Sequence, residues 1–185
     1  MSISSQGSVL DASIEHANIF DFGDGNGPVP AHRHINPDDT VGGWVADTAY
    51  VAPTVYLEPD TKVFGNARVL DSVHICGSAR AFGHAEVSGN VWVFDNVKVY
   101  GNARISGFAL ISGTAQVFDN AEVDDDAMVS DSALIYGNAK VFEFARVSNN
   151  AAVYGNAKVY GHARIKGGDH ICGMMVICTS DRDRR

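Results

Sequence analysis

The chain has 185 residues, 45% of them hydrophobic and 19% charged, with a formal net charge of -8 at pH 7. Such a chain can bury one sizeable core, and its acidic balance with dispersed Lys and Arg argues against nucleic-acid binding. It contains no apolar run of the roughly 18 residues that span a membrane, and its start lacks the pattern of a signal peptide. We therefore expect no membrane partner. Its three cysteines show no metal-binding spacing, so we expect a cytoplasmic protein in a reducing environment.

Residues 1–44 form the first predicted unit, an irregular segment rich in Gly, Pro and Asp. We expect it to cap the domain, because the open end of a sheet exposes unpaired strand edges. It also contains His32 and His34, followed by Asp38 and Asp39. Two His in alternate positions of a strand share a face, so with Asp38 they are candidate ligands for zinc or another divalent ion. Contact with a small ligand is the third interpretation.

A six-residue repeat begins at Val45 and continues to Ile177. Every sixth residue is Val, Ile or Leu except Ala81, and a second column four residues later is mostly Ala or Val. Neither a helix nor simple strand alternation has this period, but a short strand followed by a turn does. We therefore expect both columns to point inward, with an outward residue between them.

The tripeptide Gly-Asn-Ala recurs in these repeats at Gly65, Gly101, Gly137 and Gly155. Its position in the hexad predicts a corner, where one residue adopts positive φ and Gly or Asn tolerates it best. The motif is predicted to be architectural and not catalytic.

The pattern [LIV]-[GAED]-x-x-[STAV]-x resembles the hexapeptide repeat of left-handed parallel β-helices. The resemblance covers residues 45–168 and implies a triangular prism with three hexads per coil, commonly assembled as a homotrimer. We expect an all-β protein with about seven coils over residues 45–170 and a C-terminal tail over 171–185 that frays at its end, "DRDRR". The stretch "VGGWVADTAYV" and the GNAR repeats resemble bacterial and phage-encoded hexapeptide proteins, some of them labelled acyltransferases, a label that says little about activity.

Stepping by one coil, or three hexads, predicts two long columns of side chains on one side of the prism. The first, the aromatic ladder, contains Phe64, Phe82, Tyr100, Phe118, Tyr136 and Tyr154; the second, the asparagine column, contains Asn66, His84, Asn102, Asn120, Asn138 and Asn156. The rungs should lie about 4.8 Å apart. Self-stacking along the prism and packing against another subunit both explain such a ladder.

A further outward column, which we call the apolar column, contains Tyr56, His74, Trp92, Leu110 and Met128, and continues as Arg146, Arg164 and Arg182. Large apolar side chains outside a prism that has its own core favour subunit association. We expect these five residues to form the trimer interface.

The resemblance also raises an enzymatic interpretation. Acyltransferases of this family typically use a His at a subunit interface as general base, with acetyl-CoA or another acyl-CoA in the groove and a protruding loop closing the site. His74 and His84 are the candidate bases here. The hexads contain no inserted loop, however, so we favour a protein without catalytic activity and without a cofactor.

The acidic corner Asp124, Asp125 and Asp126 is a candidate calcium ligand set if two copies meet there. A solvated charged corner is the alternative.

The sequence thus predicts a non-catalytic, homotrimeric assembly or binding module, such as a structural or adhesive phage or prophage component that contacts other virion or host-surface components. One rival is a protein that holds a nucleotide or other small anion in its intersubunit grooves, using His32, His34, Asn102 and Arg104. The other rival is the acyl-CoA-dependent acyltransferase. A virion location is the alternative to the cytoplasm.

Overall fold

A computed structural model describes residues 18–179 of the chain. The described part contains only strands and turns, so it has no helix able to cross a membrane. The strands are β1 (Ile19–Phe20), β2 (Val29–Ile35), β3 (Val41–Ala46), β4 (Tyr50–Val51), β5 (Tyr56–Leu57), β6 (Lys62–Val63), β7 (Arg68–Val69), β8 (His74–Ile75), β9 (Arg80–Ala81), β10 (Glu86–Val87), β11 (Trp92–Val93), β12 (Lys98–Val99), β13 (Arg104–Ile105), β14 (Leu110–Ile111), β15 (Gln116–Val117), β16 (Glu122–Val123), β17 (Met128–Val129), β18 (Leu134–Ile135), β19 (Lys140–Val141), β20 (Arg146–Val147), β21 (Ala152–Val153), β22 (Lys158–Gly161), β23 (Arg164–Ile165), β24 (His170–Ile171) and β25 (Val176–Thr179).

Successive strands belong in turn to three sheets. The first sheet has the order β1-β2-β3-β6-β9-β12-β15-β18-β21-β24, the second β4-β7-β10-β13-β16-β19-β22-β25, and the third β5-β8-β11-β14-β17-β20-β23. From β3 onward the pairs are parallel and join residues one coil apart, as Val99 pairs with Val117. This confirms the predicted all-β fold, a single-stranded parallel β-helix.

The β-helix is longer than expected, with about eight turns instead of seven. Parallel pairing continues past residue 170, the predicted end, because Ile171 and Ile177 extend the inward aliphatic column. The strand β25 pairs in parallel with β22 within the segment predicted as a tail. Residues 180–185 of that tail, including Arg182, lie outside the described residues.

The core is a single apolar column along the prism axis. The predicted inward residues are buried almost without exception, as Val99 and Ala103 show in the middle of the chain. From Tyr50 onward the residue between the two inward positions is exposed or partly exposed on every strand except β21, where it is the small Ala152, so the predicted register is confirmed. This alternation leaves three outward faces, each a set of columns whose rungs repeat every coil.

The corners adopt the positive φ that the Gly-Asn pairs predict, and it is the Gly of each pair that adopts it. Gly101 has φ of 71°, and a Cβ there would lie 2.9 Å from the backbone nitrogen of Asp119 in the next coil. Glycine is therefore required both by conformation and by the close approach of two coils. Asp119 occupies the equivalent corner with φ of 58°.

Acidic side chains link neighbouring coils at many corners, a role that was not predicted. A carboxylate accepts a hydrogen bond from the backbone N–H of the equivalent corner in the next coil: Asp71 from Gly89, Asp95 from Gly113, Asp119 from Gly137, Asp125 from Glu143, Asp131 from Asn149 and Glu143 from Gly161. Asp and Asn tolerate the left-handed conformation better than most residues. These positions therefore combine a turn with a bond between coils.

Residues 18–44 of the N-terminal segment are more regular than predicted, since they form an antiparallel meander, and residues 1–17 lie outside the described residues. The strand β2 pairs antiparallel with β1 and with β3, and thereby covers the free edge of the first sheet. The pairing of β2 with β3 shifts register between Arg33 and Ile35. Phe22, from the loop after β1, is buried and stacks on Phe64 at 4.9 Å between ring centroids.

Two side chains of the same segment close the edge of the third sheet. The Asn36 side chain donates to the Leu57 carbonyl oxygen at 3.0 Å and accepts from the Leu57 N–H at 2.9 Å, as a neighbouring strand would. The His34 Nε2 atom lies 2.8 Å from the Val55 carbonyl oxygen. A Cβ on Gly42 would lie 2.9 Å from the Asn36 Oδ1 atom, which explains a glycine at the start of "GGW". The predicted capping role is thus carried out by specific hydrogen bonds.

Candidate functional site

The apolar column lies on the third sheet as predicted, with its members in register. Trp92 pairs with His74 on one side and with Leu110 on the other. The His74 ring stacks between those of Tyr56 and Trp92, at centroid distances of 5.6 and 4.1 Å. The stacking buries part of each ring, but 40% of Trp92 stays exposed.

Two further aromatic residues widen this column into a patch. Phe94 follows Trp92 on the same face and stacks with it at 5.5 Å. Phe108 precedes Leu110 on that face and is 63% exposed. We call Trp92, Phe94, Phe108, Leu110 and Met128 the apolar patch. Exposed apolar groups that adjoin one another on a single face are typical of an interaction surface.

The aromatic ladder has the predicted geometry. Its six rings stack nearly parallel, with consecutive centroids 4.9–5.0 Å apart and interplanar angles of 1–5°. Each inner ring face is covered by the next ring, so the self-stacking interpretation is confirmed. In the asparagine column, side-chain amides bond from Asn102 to Asn120, and onward to Asn138 and Asn156, at 3.1 Å each.

The two other mid-strand columns carry charge. On the second sheet the signs alternate through Arg68, Glu86, Arg104, Glu122 and Lys140. Ion pairs join Arg68 to Glu86, at 3.2 Å, and Lys140 to Glu122.

On the first sheet, by contrast, Lys62, Arg80 and Lys98 follow one another with the same sign. This basic column was not predicted, although stepping one coil at a time from Lys62 would have found it.

The predicted metal ligands are not brought together. His32 lies exposed with its Nδ1 atom 2.9 Å from the Asp47 carboxylate, whereas His34 is 7% exposed and bonded to the backbone. Asp38 instead accepts from the Thr40 hydroxyl at 2.6 Å. Residues 18–179 contain no group of three or more His, Cys, Asp or Glu side chains arranged to hold a metal ion.

The environment of His34 favours a neutral ring. Burial lowers its pKa, the hydrogen bond to the Val55 carbonyl opposes this shift, and the nearby His32 adds to the lowering. The ring therefore donates from Nε2 to that carbonyl without needing a charge.

The side chains of Asp124 and Asp125 in the acidic corner make hydrogen bonds within the β-helix. The Asp124 carboxylate accepts from the Ser106 hydroxyl at 2.7 Å, and the Asp125 carboxylate accepts from the Glu143 N–H. Asp126 is exposed at the edge of the third sheet.

The candidate bases have no catalytic arrangement around them. The ring of His74 makes only stacking contacts within the described part of the chain, and His84 is exposed at a corner of the asparagine column. No carboxylate in residues 18–179 bonds to either ring.

The residues predicted to hold an anion are also separate. Asn102 is engaged in its amide column, and Arg104 lies between Glu86 and Glu122 on the second sheet. His32 and His34 belong to the N-terminal meander. The structure therefore does not join these four residues in one site.

The environment of Cys76 does not activate its thiol. Burial, with a smaller contribution from Glu58, raises the pKa of the Cys76 thiol to about 11. A thiol in this state is inert at neutral pH, because the thiolate is the reactive form.

The chain matches no protein-family model and no curated protein sequence. The assignment of a function therefore rests on the faces of the β-helix.

Proposed function

We propose that this protein is a non-catalytic assembly module, a hexapeptide β-helix that forms a homotrimer through the third sheet. The observation that carries the proposal is the apolar patch, where Trp92 and Phe108 leave large exposed surfaces beside Phe94, Leu110 and Met128. Burying such surface is favourable at about 25 cal/mol per Å². Phage-encoded proteins with similar repeats suggest a structural or adhesive role in a particle.

This surface suits a homo-oligomer better than a monomer, because in a monomer the apolar patch would stay in contact with water. Around a threefold axis three copies can turn the same face inward and leave none of its apolar groups in water. The two other faces are less suited, because their mid-strand columns carry charged side chains such as Arg80 and Glu86 in the coils where the third sheet is apolar, whereas the first Arg of the third-sheet column is Arg146. Charged groups are depleted at the centre of stable interfaces.

The unbroken register supports a role without catalysis. Every parallel pair from β3 to β25 keeps the same offset of one coil, so no loop emerges between coils to close over a reacting centre. Acyl transfer depends on orienting donor and acceptor and on excluding water. Assembly needs neither.

Light scattering after gel filtration tests the proposal, with an expected mass of three times the 19.7 kDa chain. Trp92→Glu should reduce the mass, because an unpaired carboxylate is very unfavourable in a close-packed interface. Leu134→Glu is the matched control, since Leu134 is an outward apolar residue on the first sheet. A monomeric wild type would refute the trimer, and dissociation by Leu134→Glu but not by Trp92→Glu would move the interface to the first sheet.

A further inference from the structure

Three cations follow one another along the outward side of the first sheet. Lys62 pairs with Arg80, and Arg80 pairs with Lys98, in parallel register. Adjacent strands lie about 4.8 Å apart. Like charges placed directly opposite in a sheet are destabilising, so an anion bound beside this column would relieve the repulsion.

The described residues offer little compensation for these charges. Neither Arg80 nor Lys98 makes an ion pair with any carboxylate in residues 18–179. Lys62 lies 5.0 Å from the ring centroid of Phe20, and Asp60, two residues earlier, forms no ion pair with it. The second sheet shows the opposite arrangement, with alternating signs and two ion pairs. Among the same residues, adjacent cations without an ion pair also occur on the third sheet, where Arg146 pairs with Arg164, but the cleft beside them is lined by Phe144 and His162 instead of hydroxyl or amide groups.

A shallow cleft lies beside two of these cations. Its volume is about 160 Å³, and the side chains that line it are Ser78, Arg80, Asn96 and Lys98. No carboxylate is among them. Two neutral donors from the corner thus stand next to two cations on consecutive coils.

The neutral donors are also unengaged. Within the described part of the chain, the side chains of Ser78 and Asn96 have no hydrogen-bond partner. The next two members of the same corner column do bond to each other, with the Thr114 and Ser132 hydroxyls 2.9 Å apart. The unused donors therefore coincide with the unpaired cations.

We propose that this cleft binds an oxyanion group of a multiply charged ligand, with Arg80 and Lys98 supplying charge and Ser78 and Asn96 supplying hydrogen bonds. Arginine presents a planar fork of donors that matches the oxygens of phosphate, sulfate and carboxylate. Lys62, one coil earlier, is placed to contact a second anionic group. The ligand class is an elongated polyanion, whether a polyphosphate or an acidic oligosaccharide.

Calorimetric titration at fixed ionic strength tests this site, with inorganic pyrophosphate as the principal probe. Separate titrations with orthophosphate and with oligogalacturonate distinguish a phosphate source from a sugar-carboxylate source. Arg80→Gln combined with Lys98→Gln should weaken binding by about tenfold for each cation removed. Lys158→Gln combined with Lys166→Gln changes the net charge equally at exposed positions outside the cleft, and should leave the affinity within about twofold of wild type.

A second readout is the thermal midpoint, which a ligand raises when it binds only the folded state. The rise with pyrophosphate or oligogalacturonate should occur in wild type and control but not in the Arg80/Lys98 variant. Arg80→Gln alone gives the same comparison if the double variant does not fold. Absence of binding by every probe, or an equal loss in the control variant, would overturn the proposal. The trimer proposal and this binding proposal can be refuted separately, because the first is tested by the mass in solution and the second by ligand binding.

Discussion

The cap of the third sheet gives the sharpest test of the structure, through the substitution Asn36→Ala. The Asn36 side chain is 3% exposed and makes two hydrogen bonds to Leu57, at 2.9 and 3.0 Å. Leaving a buried donor or acceptor unpaired costs about 1–3 kcal/mol, so losing both should lower the free energy of unfolding by about 2–6 kcal/mol. That is a large part of the stability of an ordinary domain, about 5–15 kcal/mol.

Urea denaturation measures the loss, and hydrogen exchange of the Leu57 amide locates it. In the wild type this N–H donates to the Asn36 side chain, so its protection should fall more than that of amides in the central coils. Asn36→Asp keeps the volume and one acceptor but places a second acceptor against the Leu57 carbonyl, and should also be destabilising. Asn66→Ala, at an exposed corner, is the control and should change stability by less than about 0.5 kcal/mol. If both Asn36 variants were as stable as this control, the side chain would not serve as a substitute strand.

Two more outcomes follow from single residues. Gly101→Ala should destabilise the fold by about 1–3 kcal/mol in thermal or urea unfolding, because it combines φ of 71° with a Cβ 2.9 Å from the next coil. Gly168→Ala is the control, since Gly168 has open space around it and no positive φ, and it should lower the stability far less. Equal losses of stability in the two variants would contradict the corner geometry. Stability should fall as the pH drops through about 6.5, because the unfolded chain then takes up a proton that His34, with its pKa lowered by burial, does not. Between about pH 7.5 and about pH 5.5 the urea midpoint of His34→Gln should fall less than that of the wild type. If the two midpoints fell equally, His34 would not contribute to the pH dependence.

Much of the candidate interface could be predicted from residue spacing. The apolar column and the aromatic ladder were found by stepping through the chain one coil at a time, because a β-helix places each residue directly over its equivalent one coil earlier. The same step would have found the basic column from Lys62 to Lys98 and the acidic corners such as Asp95 over Gly113. These were missed because charge was considered over the whole chain and not column by column.

Other features could not be read from the spacing. The pairing of His32 and His34 as metal ligands assumed that a regular strand places them on one face. In the structure β2 shifts register after Arg33, so that one ring stays in water beside Asp47 while the other is buried against Val55. Similarly, Asn36 and Leu57 are 21 residues apart and belong to no repeat, so nothing in the pattern connects them.

The six-residue repeat alone specifies the inward columns and the corners, and its resemblance to hexapeptide repeats implies the three-sided prism. The repeat can do so because a period of six fixes which residues face inward, and burying Val and Ala at those positions decides the register locally in every coil. The repeat does not specify how the prism is closed at its N-terminal end or where its polar side chains find partners. Those outcomes depend on a non-repeating hairpin folding back over the first coil, where the free backbone groups of Val55 and Leu57 select His34 and Asn36 as hydrogen-bond partners.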